Sequence, residues 1–207
     1  MGQGGDKMNE IETLMAVSLG LGLAAASGFR VFIPPFAYGL FLRFDMMPIP
    51  IEMSGFSGWM ASDLGLVILG AAMVIEILGY YIPWIDNLLD TIASPAAVLA
   101  GVLMMSSTLS DSNPMIQWGI SIIAGGSVSG VVQVGTVATR AVSTATTGGL
   151  GNPVVSTVEA GACIFCTIIA LLLPILALIL VIALVGYSGN TLRKKISGDK
   201  PQSQNTP

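Results

Sequence analysis

Apolar residues run in five long blocks, at about 14–42, 64–85, 91–107, 115–139 and 153–188, with short polar connectors between them. A helix needs about 17–25 apolar residues to cross a hydrocarbon core roughly 30 Å thick, at 1.5 Å per residue. The pattern predicts an all-α polytopic membrane helical bundle of about five transmembrane helices, forming one domain over 14–190. Residues 1–13 read as a polar, net acidic N-terminal tail. Residues 191–207 read as a basic and polar C-terminal tail, expected to be disordered.

The blocks are not uniform. Arg30 lies near the middle of the first, and Pro34-Pro35 comes within about one turn. Proline removes a backbone donor and clashes with the preceding turn, so this first helix is expected to be kinked or broken. Gly20, Ala24 and Gly28 recur every four residues and offer a smooth face for close helix contact. The second block carries Glu76 at its centre and Pro83 near its end. Tyr80, Tyr81 and Trp84 read as an aromatic belt, with Asp86 and Asp90 beyond it in water or headgroups. Pro95 suits the first turn of the third helix, and 110–114 is a turn. The fourth block ends at Arg140, and a polar loop occupies 143–153. Asn152-Pro153 then supplies the N-cap and first turn of the fifth helix. That helix exceeds the hydrocarbon thickness and is interrupted by Pro174, so it must tilt, kink or protrude.

Two local similarities link the halves. Residues 24–28 match 126–130 in small-residue spacing, and Gly70-Ala71 with Pro83 matches Gly161-Ala162 with Pro174 at constant offset. If the first two blocks correspond to the last two, the repeat is inverted, an arrangement frequent in secondary transporters. Chance is the rival account, because small residues and prolines are common in membrane helices.

Composition narrows the class. Hydrophobic residues make up 53% of the 207 and charged residues only 10%, too few to coat a water-facing surface. The net charge of −4 includes no basic stripe, so nucleic-acid binding is not expected. There is no histidine, and Cys163 and Cys166 sit in an apolar block as small packing residues, so neither a metal nor another cofactor is expected. The Ala24–Ser27 stretch imitates a signal-peptide cleavage site. Its acidic flank and the continuing apolar run instead predict a retained N-terminus. Arg193, Lys194, Lys195 and Lys200 are half of the eight basic residues. Positive-inside logic puts that end in the cytoplasm, the N-terminus outside, and the protein in the cell membrane. Arg43 then falls inside, while Lys7 and Arg140 do not.

Charge within the blocks is the most informative chemistry. An Arg or an acid at a helix centre costs roughly 2.5–3.5 kcal/mol on insertion scales. Arg30 and Glu76 are expected to face each other or to share a hydrated cavity, with Glu159 completing a candidate intramembrane polar site. Such a group either handles an ion, a proton or a charged solute, or fixes helix packing as a buried pair. A second candidate joins Arg140 to Thr146, Thr147, Gly148 and Gly149, where converging backbone N–H groups and a helix start could hold an anion or lipid headgroup. Its rival is a flexible interhelical loop. Asp86 and Asp90 could bind a cation, or be solvated loop acids. No catalytic residues are assigned and no enzyme is expected: Ser127-Val128-Ser129-Gly130 has no histidine base to work with, and no nucleotide loop is present.

The segments Ser27-Gly28-Phe29-Arg30, Glu76 through Pro83 to Asp86, and Thr139-Arg140 through the 147–153 stretch (Thr-Gly-Gly-Leu-Gly-Asn-Pro) together resemble an uncharacterised bacterial multi-pass membrane family, a domain of unknown function. The resemblance covers about 10–190, and the TTGGLGNP-type loop is its most specific part. It implies a single membrane domain without a soluble catalytic module, and brings no substrate or cofactor. From the residues, the leading function is a small transporter or channel-like protein for an ion or small charged solute. The alternative is a non-transporting scaffold that binds lipid or a partner. The bilayer is the partner in both, with a homo-oligomer compatible with either. A cavity reaching Glu76 would favour transport, and a dry, paired Arg30 and Glu76 the scaffold.

Overall fold

A computed structural model describes residues 10–82, 85–110 and 112–198. The first apolar block divides in two there, as α1 (Glu10–Ser27) and α2 (Ile33–Arg43). Pro34 and Pro35 open α2, where a missing N–H removes no helical hydrogen bond. The two helices double back. Gly20 lies against Met105 and Thr108 at the C-terminal end of α5 (Ile85–Thr108), and the Tyr38 hydroxyl donates to the Ser107 carbonyl at 3.2 Å. Between them, Val31 packs on Ala93, Ala97 and Ala100, well down α5. The pair is therefore a helical hairpin that starts and finishes at one face of the bundle, with residues 28–32 as a tip inside it. Gly28 permits this: a Cβ there would sit 2.6 Å from the Ser129 carbonyl oxygen and 2.5 Å from Val132 Cβ.

The connector expected over 43–63 contains a short helix, α3 (Gly55–Ala61), which meets α4 (Asp63–Gly79) at a bend of 77°. Ser62 makes the joint, its side chain accepting the Gly65 N–H at 3.0 Å. The third helix starts at Ile85 rather than near 91, so Pro95 lies inside α5 and not in its first turn. Hydropathy starts that block late because Asp90 is charged, but the guanidinium of Arg140 opposes it and offsets the penalty. The fourth block is one continuous run over Pro114–Thr147, comprising α6 (Pro114–Ile120), a π turn (Ser121–Gly125) and α7 (Gly126–Thr147). It passes Arg140 by two turns, so 143–147 are helical rather than loop. The left-handed Gly148 (φ 64°) ends it.

α8 (Asn152–Leu172) begins where Asn152-Pro153 predicts, although Gly151 holds the N-cap position. The fifth block is not one interrupted crossing. The residue before a proline is biased to extended backbone, and Leu173 (φ −134°, ψ 65°) ends α8 ahead of α9 (Pro174–Gly198). Gly22 of α1 touches both Ala170 and Ala177, so α8 and α9 pass the same level on either side of the break. Val181 then joins Ala25 and Val132, which carries α9 back toward the α7–α8 loop. α9 reaches Gly198, so residues 191–198 are helical. The expectations for 1–9, 199–207, Pro83, Trp84 and the side chain of Asp86 lie outside the described residues.

α1 is the axis of the bundle. From Ala16 to Ser27 nearly all its residues are buried, as expected of a helix apolar all round. The surrounding helices turn Ile75, Leu99, Ile123, Val134, Val158 and Ile182 outward. The chain is thus an all-helical bundle with four helices long and apolar enough to cross a membrane among the described residues, five if the bent α3–α4 pair counts as one span. The stretches matched as a repeat differ in conformation: 24–27 close α1, whereas 126–130 lie inside a continuous span.

Candidate functional site

The hairpin tip brings polar backbone and a charge into the bundle interior. The N–H groups of residues 28–30 bond back to the carbonyls of Ala25 and Ala26. Val31 and Phe32 stand at the start of α2, where the first N–H groups of a helix have nothing helical to receive them. Glu76 of α4 receives both, through Oε1 at 2.8 Å and Oε2 at 3.1 Å. Its partner is thus the unwound backbone of the tip, and its carboxylate makes no ion pair with Arg30.

Arg30 reaches instead toward α8. It is 2% exposed; Nη2 donates to Ser156 Oγ at 2.6 Å and to the Ser156 carbonyl at 3.0 Å, and Nη1 lies 3.4 Å from Glu159 Oε2. Arg140, on α7, also points inward. Its Nε donates to Glu159 at 3.1 and 3.3 Å, Nη2 pairs with Glu159 Oε2, and Nη1 lies 3.4 Å from Asp90 Oδ1 on α5. Glu159 therefore bridges two guanidiniums. Both also stack on one ring: the guanidinium carbons of Arg30 and Arg140 each lie 4.0 Å from the Tyr80 centroid.

Five segments converge here: the tip, α4 through Glu76 with Tyr80 one turn on, α5 through Asp90, α7 through Arg140, and α8 through Ser156 and Glu159. Two guanidiniums face three carboxylates. The buried Arg30 Nε has no hydrogen-bond acceptor in the protein, and Arg140 Nη1 has the ion pair with Asp90 but no well-aligned hydrogen bond. A cavity of about 420 Å³ between α7 and α8 reaches Glu159; Glu76 does not line it.

Of the residues read from sequence, Arg30, Glu76 and Glu159 are brought together. Arg140 joins them and stands apart from the loop with which the sequence pattern groups it. The Thr146 hydroxyl donates to the carbonyls of Val142 and Ser143, and the Thr147 hydroxyl donates to Ser143 and accepts from the Gly151 N–H. Gly148 and Gly149 take positive φ values of 64° and 91° to turn the chain from α7 to α8. Arg140 sits two helical turns below them, so the structure does not assemble those five residues into one site. Tyr80 is buried at the centre of the cluster and not in an interfacial belt. Asp90, expected to be solvated or to bind a cation, faces Arg140. Ser156 is a residue that sequence reasoning misses, its only signal being the i, i+3 spacing to Glu159. Cys163 is buried with its thiol 3.2 Å from the Ala26 carbonyl, and both cysteines are free thiols.

A family model described as a domain of unknown function (DUF4126) matches residues 17–194. The chain belongs to that family. The match takes in every residue of the cluster, from Arg30 to Glu159. Among curated proteins and solved structures nothing matches.

Proposed function

We propose that this member of the DUF4126 family is a small transporter or channel-like protein of the cell membrane, non-enzymatic, that moves an ion or small charged solute through the cluster around Arg30, Glu76 and Glu159. The observation that carries this reading is the hairpin tip: unwound backbone held by Glu76 inside the bundle, beside two buried arginines. Non-helical backbone at membrane depth is tolerated only where protein or a polar cavity surrounds it, and transporters place binding sites at such breaks. Arg30 Nε, which has no protein acceptor, adds hydrogen-bonding capacity to the cluster. The basic stretch Arg193-Lys194-Lys195 supports a cytoplasmic C-terminus.

The scaffold reading keeps two observations of its own: Glu159 bridges Arg30 and Arg140, which closes much of the cluster, and the cavity beside it does not reach Glu76. Flux decides between the two. Purified protein in liposomes should pass protons or small ions under an imposed gradient, and Glu76→Gln should reduce that flux at least tenfold while the variant stays folded. Absence of flux from folded wild-type protein under several ion gradients would leave the scaffold reading in place.

A further inference from the structure

Beside the cluster, α5 meets the fourth span along an interface that carries polar groups through most of its length. At one end the Arg140 guanidinium faces Asp90 at 3.4 Å. Further along, Gln133 Nε2 donates to Ser94 Oγ at 3.4 Å, and Ser129 Oγ donates to the Ala97 carbonyl at 2.6 Å. The backbones of Gly101 and Gly125 come next. A Cβ on either would sit 2.7 or 2.6 Å from the carbonyl oxygen of the other. At the far end, on the face that carries the α5–α6 turn, Gln117 Nε2 donates to the Ser106 carbonyl at 2.8 Å. We propose that this seam is the water path between the cluster and that face: the two helices part along it, and the Gly101–Gly125 contact is its seal. The inference rests on the transport reading, for which it supplies the route.

Three observations carry it. The cost of opening an interface to water follows the apolar area exposed, whereas hydroxyls and amides exchange their partners for water with little net change. By contrast, α1 meets α9 through Gly22 against Ala177 and Ala25 against Val181, an apolar contact. Along the fourth span Gln117, Ser121, Gly125, Ser129 and Gln133 fall at every fourth residue, and from Ser121 onward all are buried. A stripe at that spacing drifts around a helix of 3.6 residues per turn. The wider π turn over Ser121–Gly125 takes up part of the drift and keeps the stripe facing α5. Finally, the seam adjoins the hairpin tip, since a Cβ on Gly28 would sit 2.6 Å from the Ser129 carbonyl oxygen. Serine and glutamine also tie membrane helices together permanently, and a static contact of that kind is the outcome the test must exclude.

The test uses the full chain in liposomes, with Cys163 and Cys166 replaced by Ala and a single cysteine returned at a buried position. Ser129→Cys is close to isosteric and puts a thiol in the seam. Val181→Cys, also buried but on the α1–α9 contact, is the reference. A small charged methanethiosulfonate reaches thiols only through water. Applied from the Gln117 side, it should modify Ser129→Cys at least tenfold faster than Val181→Cys, as read by mass spectrometry. A short bifunctional methanethiosulfonate joining Ser94→Cys to Gln133→Cys should hold the seam shut and lower ion flux at least tenfold, with recovery on reduction. Equal rates at positions 129 and 181, or flux indifferent to the cross-link, would make the seam a static helix contact and overturn the proposal. Absence of flux from the unmodified protein counts instead against the transport reading, and the comparison of rates still decides whether the seam opens.

Discussion

Glu159 carries more of the cluster than any other side chain, because two buried guanidiniums depend on it. Removing one partner of a buried pair leaves an uncompensated charge and typically costs about 3–5 kcal/mol. Glu159→Gln should therefore lower the thermal stability of the purified protein by about that amount. A variant as stable as wild type would show that Ser156 and Asp90 are sufficient partners for the arginines. Tyr80 makes a finer distinction. Tyr80→Phe keeps the ring on which both guanidiniums stack and should be close to neutral, whereas Tyr80→Leu should cost about 1–2 kcal/mol for the lost cation–π contacts. Equal effects of the two changes would count against stacking. At this scale the sequence announces that Arg30 and Glu76 are buried charges in need of partners, but not which partners. A charge inside an apolar block is visible from hydropathy. That Arg30 turns to Ser156 and Glu159, while Glu76 turns to two backbone N–H groups, depends on where α4 and α8 pass the tip. Tyr80 is ambiguous in sequence for a related reason: a ring with a polar end suits both a membrane interface and an arginine stack.

The helices and their breaks are largely legible in the sequence, whereas the direction of the chain after each break is not. Pro34-Pro35 and Pro174 both mark true interruptions, yet each opens a helix that runs back along its predecessor. Proline chemistry states that a helix cannot continue. The direction taken next is set by packing, here Tyr38 against Ser107 and Gly22 against both Ala170 and Ala177. Arg140 reads as a helix end because charge usually marks one, and the Thr-rich stretch after it has low helix propensity. The helix nevertheless runs two turns further, with its threonine hydroxyls bonded back to the preceding turn, and the left-handed Gly148 ends it. Gly148→Ala should cost about 1–2 kcal/mol, the penalty for an L-residue in that region, in thermal unfolding of the purified protein. Gly28→Val should be far worse, since its side chain would meet the Ser129 carbonyl and unseat the tip. Normal yield of folded protein from that variant would contradict the close packing at the tip.

For the whole molecule, the doubled-back pairs change the path without changing its ends. A reading of five single crossings puts the termini on opposite faces. With α1–α2 as a hairpin and α9 as an added return, the described ends, Glu10 and Gly198, also come to opposite faces, so parity alone cannot distinguish the two. Single-cysteine labelling separates the paths. With Cys163 and Cys166 replaced by Ala, Ile11→Cys and Met46→Cys should react with a membrane-impermeant maleimide from the same side, and Leu150→Cys from the other. Labelling of positions 11 and 46 from opposite sides would show that the first block crosses once. Arg43, at the open end of the hairpin, then shares a face with the start of α1, contrary to the orientation that single crossings give it.

The hairpin tip also fixes an order of manufacture. Synthesis delivers Arg30 126 residues before Ser156, and Val31 45 residues before Glu76. Until α4 emerges, the tip would carry uncovered N–H groups into the bilayer, and until α8 emerges it would carry an unpaired guanidinium. The growing chain therefore has reason to hold its first two helices at the water interface, or in the keeping of an insertion factor, and to seat them only after the later helices form a pocket. In ribosome-arrested chains, a Phe29→Cys reporter should stay reactive when synthesis stops at Thr147 and become protected only when the chain is long enough for α8 to have left the ribosome. The segment translated first would then be the last to enter its final position.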